Sequence, residues 1–271
     1  MINIHDAERY FINKTCRYTV TGGAGYLGSE VAGTILNSGG DVVLFDVLDT
    51  PLKSVWDRLI VTAESTGQKV LYRKLDVTKD EEVEVVFADV VPQLRHPIRG
   101  LVSCAGVSDN DPAQDFSVGR FRRLMEINVT GTFAVAQAVA REMRRADVSG
   151  SMILVASMSG TVVNKGVDTA AYNTSKSGVL QLARSLAAEW GSRKGMPLIR
   201  VNSLSPGYIR TPATEEALQK PGIEEQWAGD SMLYRLSTVD EFRGPVLFLL
   251  SDASSFMTAA ELRVDGGHCS W

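Results

Sequence analysis

The sequence predicts a single α/β domain, in which a doubly wound parallel sheet of about seven strands carries helices on both faces. Three observations support this fold class. Short Val-, Ile- and Leu-rich runs alternate with segments of helical periodicity along the 271 residues. The short runs are apolar throughout rather than alternately polar, as in strands that are buried on both faces of a sheet. No linker or repeat divides the chain, so residues 1–271 are interpreted as one domain.

The N-terminal half alternates strands with helices. "RYTVT" begins the sheet, and the apolar residues between Gly25 and Asn37 recur at helical spacing. The glycines of "NSGG" then end that helix. The following elements are the strand "DVVLFDV", a helix over 51–66, the strand "KVLYRKLDV", a helix over 79–91 and the strand "IRGLVSCAGV".

The C-terminal half continues the same alternation. Its elements are a long helical stretch over roughly 117–145, the strand "SMILVASMSG", a helix over 169–191, the strand "IRVNSLSPG", a helix over 238–251 and the short strand "ELRVDGG". Residues 207–236 have the weakest pattern and contain several prolines and glycines. We expect a long excursion there, helical in pieces, of the kind that forms lids or substrate loops.

The composition argues against several function classes. Lys and Arg number 28 against 32 Asp and Glu, for a net charge of -4. With no basic excess, we expect no binding to nucleic acid or to an anionic membrane surface. No apolar run is long enough to span a bilayer, and the N-terminal segment lacks the apolar core of a secretory signal. These features predict a cytoplasmic location.

Cysteine and histidine usage predicts neither a disulfide framework nor a metal site. The three cysteines are far apart and odd in number, which is typical of a protein in a reducing compartment. The three histidines are too few and too scattered to suggest zinc. These residues are Cys16, Cys104, Cys269, His5, His96 and His268.

A glycine-rich turn between the first strand and the first helix predicts dinucleotide binding. Gly23, Gly25 and Gly28 form a G-x-G-x-x-G, and Asp46 ends the next strand about 20 residues downstream. Such glycines allow a tight turn and a close approach of the backbone to a pyrophosphate, which the helix N-terminus then binds. The alternative is a turn that only packs a helix on a sheet.

Asp46 favours NAD(H) as the cofactor. A carboxylate accepts hydrogen bonds from the ribose hydroxyls of NAD and repels the 2′-phosphate of NADP. No Arg or Lys lies between Thr21 and Val47 to bind that phosphate. NADP(H) is not excluded, and Asp46 can also be read as a plain acid at a strand end.

"YNTSK" places Tyr172 and Lys176 four residues apart, hence on one face of a helix. A phenol titrates near ~10, and a neighbouring ammonium lowers that pKa, so the pair can move a proton to or from an oxygen. Ser157 follows a strand at the edge where α/β ligands bind, and Asn128 lies in an otherwise apolar helix face. Alone, Ser157 could be a helix cap and Asn128 a satisfied buried amide. The same spacing at Tyr10 and Lys14 precedes the sheet and is interpreted as chance.

Taken in order, these motifs resemble the short-chain dehydrogenase/reductase family, in its short branch, over nearly the whole chain. "LDV", "CAGV", "NVTGTF", "ILVASMSG", "VNSLSPGYIRT" and "VDGG" complete the series. The resemblance implies a Rossmann fold, Tyr172 as acid/base and Ser157 as the group that orients the substrate oxygen. It also implies that Lys176 lowers the Tyr172 pKa and binds the nicotinamide ribose, and that Asn128 holds a water. The implied cofactor contacts are Gly22, Gly25, Tyr26, Leu27, Gly28, Asp46, Asp76, Val77, Cys104, Ala105, Gly106, Tyr172, Lys176, Pro206, Gly207, Ile209 and Thr211.

Two residues depart from the family pattern. Tyr26 stands where short members usually have a glycine, which puts the path of the pyrophosphate loop in question. Cys104 stands where the family usually has an asparagine that hydrogen-bonds strand to strand, so we expect a local rearrangement or a bound water. Related proteins commonly pair through long helices, so a homodimer or homotetramer is expected.

The first functional hypothesis is an oxidoreductase that transfers a hydride between a nicotinamide cofactor and a secondary alcohol or ketone. "SLSPGYI" weakly resembles polyol dehydrogenases and ketose reductases, and an acidic loop over 208–234 disfavours an anionic substrate. The alternative is a tailoring ketoreductase for a larger apolar natural product. A sensor of NAD(H) without turnover is a third hypothesis, which the presence of Ser157, Tyr172 and Lys176 disfavours. Apolar loop residues could line a pocket or equally pack on the body of the protein: Leu218, Trp227, Met232, Leu233 and Tyr234.

Overall fold

The computed structural model describes residues 16–191 and 193–271 and contains a seven-stranded parallel sheet. The pair Tyr10 and Lys14 therefore lies outside the described residues. The strands are β1 (Arg17–Thr21), β2 (Asp41–Asp46), β3 (Val70–Lys74), β4 (Ile98–Ser103), β5 (Gly150–Val155), β6 (Ile199–Pro206) and β7 (Glu261–Val264). Their order in the sheet is β3-β2-β1-β4-β5-β6-β7, and every neighbouring pair is parallel. The predicted fold class is confirmed.

Helices cover both faces of the sheet because the connecting segments bury apolar faces on it. In the described part of the chain they are α1 (Tyr26–Asn37), α2 (Lys53–Thr66), α3 (Asp80–Val90), α4 (Val118–Met125), α5 (Thr132–Arg145), α6 (Ala170–Gly191), α7 (Pro212–Leu218), α8 (Ile223–Gly229) and α9 (Arg243–Leu250). One apolar cluster joins the sheet to α3, α5 and α6 through side chains such as Phe87, Val139 and Leu186. A second joins it to α1, α2 and α9 through Ile35, Leu59 and Leu249.

Several element boundaries differ from those predicted. The helical stretch over 117–145 is interrupted by one π-helical turn, Glu126–Gly131, which separates α4 from α5. The segment 238–251 begins with a 3₁₀ turn, Val239–Phe242, before α9. The third strand stops at Lys74, because the Asp76 carboxylate then accepts hydrogen bonds from the Thr78 amide and hydroxyl and turns the chain. The excursion over 207–236 contains the short helices α7 and α8, as expected.

A buried ion cluster fixes the starts of the first two strands. Asp41 is fully buried, and its Oδ2 accepts from Arg17 NH2 at 2.6 Å and from Arg95 Nε at 2.7 Å. Burial alone would raise the pKa of Asp41, but hydrogen bonds from Arg95 and Arg17 hold that pKa at about 2. Removing either arginine would leave a poorly compensated buried charge, which is strongly destabilising.

The order of strands reverses direction between β1 and β4, since the chain builds outward from β1 first to β3 and then from β4 to β7. At such a reversal the loops that follow the strands separate and leave a crevice at the carboxyl ends. None of the described helices is long and apolar enough to cross a membrane. The crevice at the reversal is thus where the fold directs a ligand.

Candidate active site

Two adjoining cavities open at the carboxyl ends of the central strands. The smaller, of about 290 Å³, lies beside the glycine turn and Asp46. The larger, of about 340 Å³, lies over Ser157, Tyr172 and Lys176. Cys104, Gly106 and Val107 line both cavities, so the two form one continuous cleft.

The glycines of the turn have different physical roles. A Cβ on Gly28 would lie 2.2 Å from the Gly22 carbonyl oxygen, and one on Gly22, whose φ is +64°, would lie 2.8 Å from the Ala105 amide nitrogen. The fold itself therefore requires glycine at positions 22 and 28. A Cβ on Gly25 would lie 3.2 Å from the Gly22 carbonyl oxygen, no other described residue beyond its chain neighbours comes within 4 Å, and Gly25 lines the smaller cavity. Glycine at 25 keeps open a space that a ligand would fill.

Helix α1 begins directly at this turn and presents its N-terminus to the smaller cavity. No side chain caps that end, and its first turn carries no acidic residue. The first backbone N–H groups of the helix can therefore bind an anion, assisted by the helix dipole. The Tyr26 side chain is 55% exposed, so a residue larger than glycine is accommodated there without disturbing the turn.

Two carboxylates and one arginine surround the smaller cavity. Asp46 Oδ2 accepts from the Ala24 amide at 3.0 Å and Oδ1 from the Leu48 amide at 3.2 Å, so Asp46 also holds the glycine turn in place. Hydrogen bonds from Thr78, with the nearby charges of Lys79 and Arg123, lower the pKa of Asp76. Arg123 comes from α4 and lines the same cavity, and it was not predicted because the sequence was searched for a phosphate-binding Arg or Lys only between Thr21 and Val47.

In the larger cavity, Ser157 is positioned by the turn that it caps. Its Oγ accepts from the Ser159 amide at 3.1 Å, which leaves the hydroxyl proton free to be donated. The Ser157 hydroxyl also lowers the pKa of the Tyr172 phenol, and both side chains line this cavity. Ser157 is thus a cap, as in the alternative interpretation, and its role in orienting the substrate oxygen stays a prediction.

The expected effect of Lys176 on Tyr172 is not found. Burial raises the pKa of Tyr172, and the Ser157 hydroxyl only partly offsets this rise. The Lys176 amine donates to the Val155 carbonyl at 3.0 Å and lies 5.8 Å from the centre of the Tyr172 ring. Burial lowers the pKa of Lys176 itself to about 8, with the nearby Cys104 opposing. The predicted lowering of the Tyr172 pKa is therefore wrong in sign for this structure.

Asn128 lies in the π-helical turn and is buried. Its Oδ1 accepts from the Val107 amide, and its Nδ2 donates to the Val107 carbonyl and to Ser175 Oγ, each at 2.9 Å. Ser175 in turn donates to the Tyr172 carbonyl at 2.8 Å. Both N–H groups of the amide are used, as in the alternative of a satisfied buried amide. The network ties the loop after β4 to the helix that carries Tyr172, and Ser175 was missed by the sequence analysis.

Thr21 links β1 to the loop that follows β4. The family usually makes such a link between strands through an asparagine at the position of Cys104. The Thr21 carbonyl accepts from the Cys104 amide and its Oγ1 from the Ala105 amide, both at 3.2 Å. Burial raises the pKa of the Cys104 thiol to about 12, against the influence of Lys176, so the thiol stays protonated at neutral pH. Thr21 thus joins β1 to the loop after β4 through two hydrogen bonds, and the expected rearrangement or bound water at Cys104 stays a prediction.

The predicted site residues converge on the cleft with three exceptions. Tyr26, Gly28 and Asn128 line neither cavity, although Gly28 packs on Gly22 and Asn128 bonds to Val107, which do. The following predicted residues line the cleft: Gly22, Gly25, Leu27, Asp46, Asp76, Val77, Cys104, Ala105, Gly106, Ser157, Tyr172, Lys176, Pro206, Gly207, Ile209 and Thr211.

The excursion over residues 207–236, here named the substrate loop after its predicted role, contributes few of the apolar residues considered above. Of the five apolar side chains named above, Trp227 alone lines the larger cavity, where it stacks on Tyr208 at 4.0 Å between ring centres. Leu218 is buried in packing, and the other three are exposed. Within the described ranges, Lys176 is the one charged side chain that lines this cavity. In the part of the chain that the structure describes, no group of three or more His, Cys, Asp or Glu side chains could hold a metal ion.

Comparisons with known proteins agree with this arrangement. A family model described as enoyl-(acyl carrier protein) reductase matches residues 23–268. The chain is 62% identical over 252 residues to "Short chain dehydrogenases/reductase notP'" of Aspergillus versicolor, covering 93% of this chain and 86% of that protein. It is 36% identical over 262 residues to D-arabinitol 2-dehydrogenase [ribulose-forming] of Candida tropicalis, covering 93% and 92%. The crystal structure of gox2181 superposes with a TM-score of 0.88 at 33% identity, covering 98% of this chain and 99% of that one.

Proposed function

The chain belongs to the short-chain dehydrogenase/reductase family, an oxidoreductase family that acts on CH–OH groups, and we propose that it interconverts a neutral secondary alcohol and its ketone with NAD(H). The observation that carries the proposal is that Ser157, Tyr172 and Lys176 line one cavity, which is continuous with the glycine-lined one. A proton-transferring phenol beside a dinucleotide-sized cleft is what such a reaction needs.

The residues around the smaller cavity fit a dinucleotide. The open space at Gly25 and the uncapped start of α1 suit a pyrophosphate, and Val77 and Ile127 offer apolar contacts for a base. A bound nicotinamide dinucleotide would supply the hydride acceptor for alcohol oxidation or the hydride donor for ketone reduction. The uncommitted oxygen lone pairs of Asp46 would accept hydrogen bonds from ribose hydroxyls, which favours NAD(H) over NADP(H).

Tyr172 is proposed to move the proton in this reaction. In ketone reduction the phenol donates its proton to the carbonyl oxygen, and the raised pKa of Tyr172 keeps it protonated for that step. Ser157 donates its free hydroxyl proton to the same substrate oxygen and so orients it. Lys176 contributes positive charge at the floor of the cleft, and Asn128 holds the loop at Val107 through its two backbone contacts.

The substrate is proposed to be uncharged, because Lys176 is the sole charged side chain among the described residues that line the larger cavity. A polyol and its ketose are the first candidate class, in keeping with the arabinitol dehydrogenase among the relatives. A larger apolar ketone is the second candidate. It is favoured by the apolar lining residues Val107, Met158, Val167 and Ile209.

The test is NADH and NADPH oxidation with a panel of ketoses and bulky ketones, run in parallel for the parent and Tyr172→Phe. We expect turnover of at least one ketone with NADH, and a loss of kcat of about 100-fold or more in Tyr172→Phe, the usual size of an acid/base contribution. Equal activity of the variant would refute the assigned mechanism. Tight NADH binding without turnover of any ketone or alcohol would instead support a sensor.

We also propose a homodimer or homotetramer that forms through the long helices beside the site. Val118 on α4 is 63% exposed and Phe133 on α5 is 39% exposed, although both are apolar. Light scattering of the purified protein would measure the mass in solution. A monomer at micromolar concentration would contradict this assignment.

A further inference from the structure

The wall of the larger cavity opposite the glycine turn carries a polar pair that the proton transfer does not use. Asn164 is 6% exposed and lies in the segment between β5 and α6. Its Nδ2 donates to the Tyr208 phenol oxygen at 3.1 Å, and its Oδ1 accepts from Thr169 Oγ1 at 3.4 Å. Asn164, Thr169 and Tyr208 all line the cavity that holds Ser157 and Tyr172.

Asn164 and Tyr208, the polar pair, each have hydrogen-bonding groups that are not used within the protein. A side-chain amide has two N–H donors and two acceptor lone pairs, and Asn164 uses one of each. The Tyr208 phenol accepts from Asn164, so its own proton is available to another acceptor. Burial and the nearby Asp230 raise the pKa of Tyr208, which keeps that proton in place at neutral pH. The pair therefore offers two donors to a molecule in the cavity.

The Tyr208 ring is held in one orientation. Trp227 stacks on it at 4.0 Å between ring centres and 2° between ring planes, and His268 packs edge-on at 5.6 Å. Trp227 is itself 6% exposed and comes from α8, so the substrate loop fixes the phenol from behind. A polar group held in this way binds its partner without losing side-chain freedom on binding.

We propose that Asn164 and Tyr208 form a subsite for a second hydroxyl group of the substrate, distinct from the oxygen that reacts at Tyr172. This inference rests on the proposed function and names its substrate class as hydroxyketones and the corresponding polyols. An apolar group placed against the pair would leave buried donors unsatisfied, which costs about 1–3 kcal/mol for each group. A hydroxyl can accept from one member and donate to the other.

The test compares the reduction of 2-butanone with that of its 1-, 3- and 4-hydroxy derivatives, with NADH. We expect the best hydroxylated ketone to exceed 2-butanone by about 10-fold or more in kcat/KM, as one or two hydrogen bonds would give. Tyr208→Phe keeps the stacked ring and removes only the hydroxyl, and it should reduce this ratio by about 5-fold or more. Asn164→Ala should reduce the same ratio.

Tyr234→Phe is the matched control, since Tyr234 lies in the same loop, is 70% exposed and lines neither cavity. It should keep the parent ratio. A parent enzyme with no preference for hydroxylated ketones overturns the inference, and so does a preference that survives in Tyr208→Phe. Either result leaves the proposed function standing, whereas failure to reduce any ketone in the panels would remove the proposed function itself.

Discussion

Replacement of single glycines in the turn separates what the fold requires from what the cofactor requires. Gly25 has φ -75° and ψ 169°, which alanine adopts without strain, and its Cβ would lie 3.2 Å from the Gly22 carbonyl oxygen, a tight contact that requires only a small shift of the turn. Alanine there gains about 0.4–1 kcal/mol from the unfolded state. It loses a comparable amount, about 0.5–1 kcal/mol, as a poor N-cap. We therefore expect the stability of Gly25→Ala to stay within about 1 kcal/mol of the parent.

Gly28→Ala is expected to behave in the opposite way. Its Cβ would lie 2.2 Å from the Gly22 oxygen and 3.1 Å from the Gly23 Cα, both backbone atoms that cannot rotate away. Overpacking of this kind costs about 1–3 kcal/mol. In a domain of this size that corresponds to a fall in Tm of roughly 2–4 °C per kcal/mol.

The Kd for NADH distinguishes Gly25 from an ordinary surface glycine. A Cβ at position 25 would enter the space assigned to the pyrophosphate, so the Kd for NADH should rise by about 10-fold or more, or 1.4 kcal/mol. NADH fluorescence and thermal unfolding measure the two quantities on the same samples. Gly33→Ala in the middle of α1 is the control, because its Cβ meets only ordinary contacts at 3.7 Å and beyond. Parent-like NADH binding by Gly25→Ala would refute the proposed cradle.

Three further predictions test the electrostatics of the site. Because the pKa of Lys176 is about 8 in the folded protein, against an ordinary value of 10.5, the unfolded chain binds more protons between these values, and parent stability rises with pH there. Urea unfolding at pH 7 to 10 measures the free energy of unfolding of both proteins. That of the parent should rise relative to that of Lys176→Met, by up to about 1.4 kcal/mol per pH unit. A difference in this free energy that does not change with pH would contradict the lowered pKa. Asp46→Asn keeps an oxygen for the Ala24 amide but removes the charge, so the ratio of the Kd for NADPH to the Kd for NADH should fall by about 10-fold; an unchanged ratio would show that Asp46 does not select the cofactor. Arg120 pairs with Asp109 and Asp111 and covers the Phe116 ring, and it thereby holds the loop that borders the larger cavity. Since the ion pairs of Arg120 are partly exposed, Arg120→Ala should change the free energy of unfolding little while KM for the ketone rises; a fall in stability with an unchanged KM would show a purely structural role.

Periodicity sufficed for the fold because the strands and helices of this chain are regular. The apolar runs around Val20, Val43 and Ile153 are fully buried, so their composition alone indicated a sheet covered on both faces. The boundaries were less predictable, since they depend on contacts between distant segments. The π-helical turn at Asn128 is an example, because the amide in that turn bonds to Val107 on another element.

The motifs identified the centre of the site but not its outer wall. Gly25, Ser157 and Tyr172 belong to recognisable patterns, and they line one cleft. Asn164 and Tyr208 are 44 residues apart, and only the fold brings their side chains together. Trp227 was considered for the pocket, yet its stacking on Tyr208 depends on how α8 returns to the sheet.

The sign of the Tyr172 pKa shows what spacing cannot decide. Four residues on a helix place Tyr172 and Lys176 on one face, and an ammonium close to a phenol oxygen would lower the pKa of the phenol. In the structure the amine donates to Val155 instead, and burial acts on both groups so as to disfavour their charged forms. Desolvation can shift the pKa of a buried group by several units. The Lys176 ammonium, which donates to Val155, does not offset the rise that burial causes in the pKa of Tyr172. The phenol of Tyr172 is therefore protonated in this structure, which suits ketone reduction, and alcohol oxidation requires an additional change in the surroundings of Tyr172 that favours the phenolate.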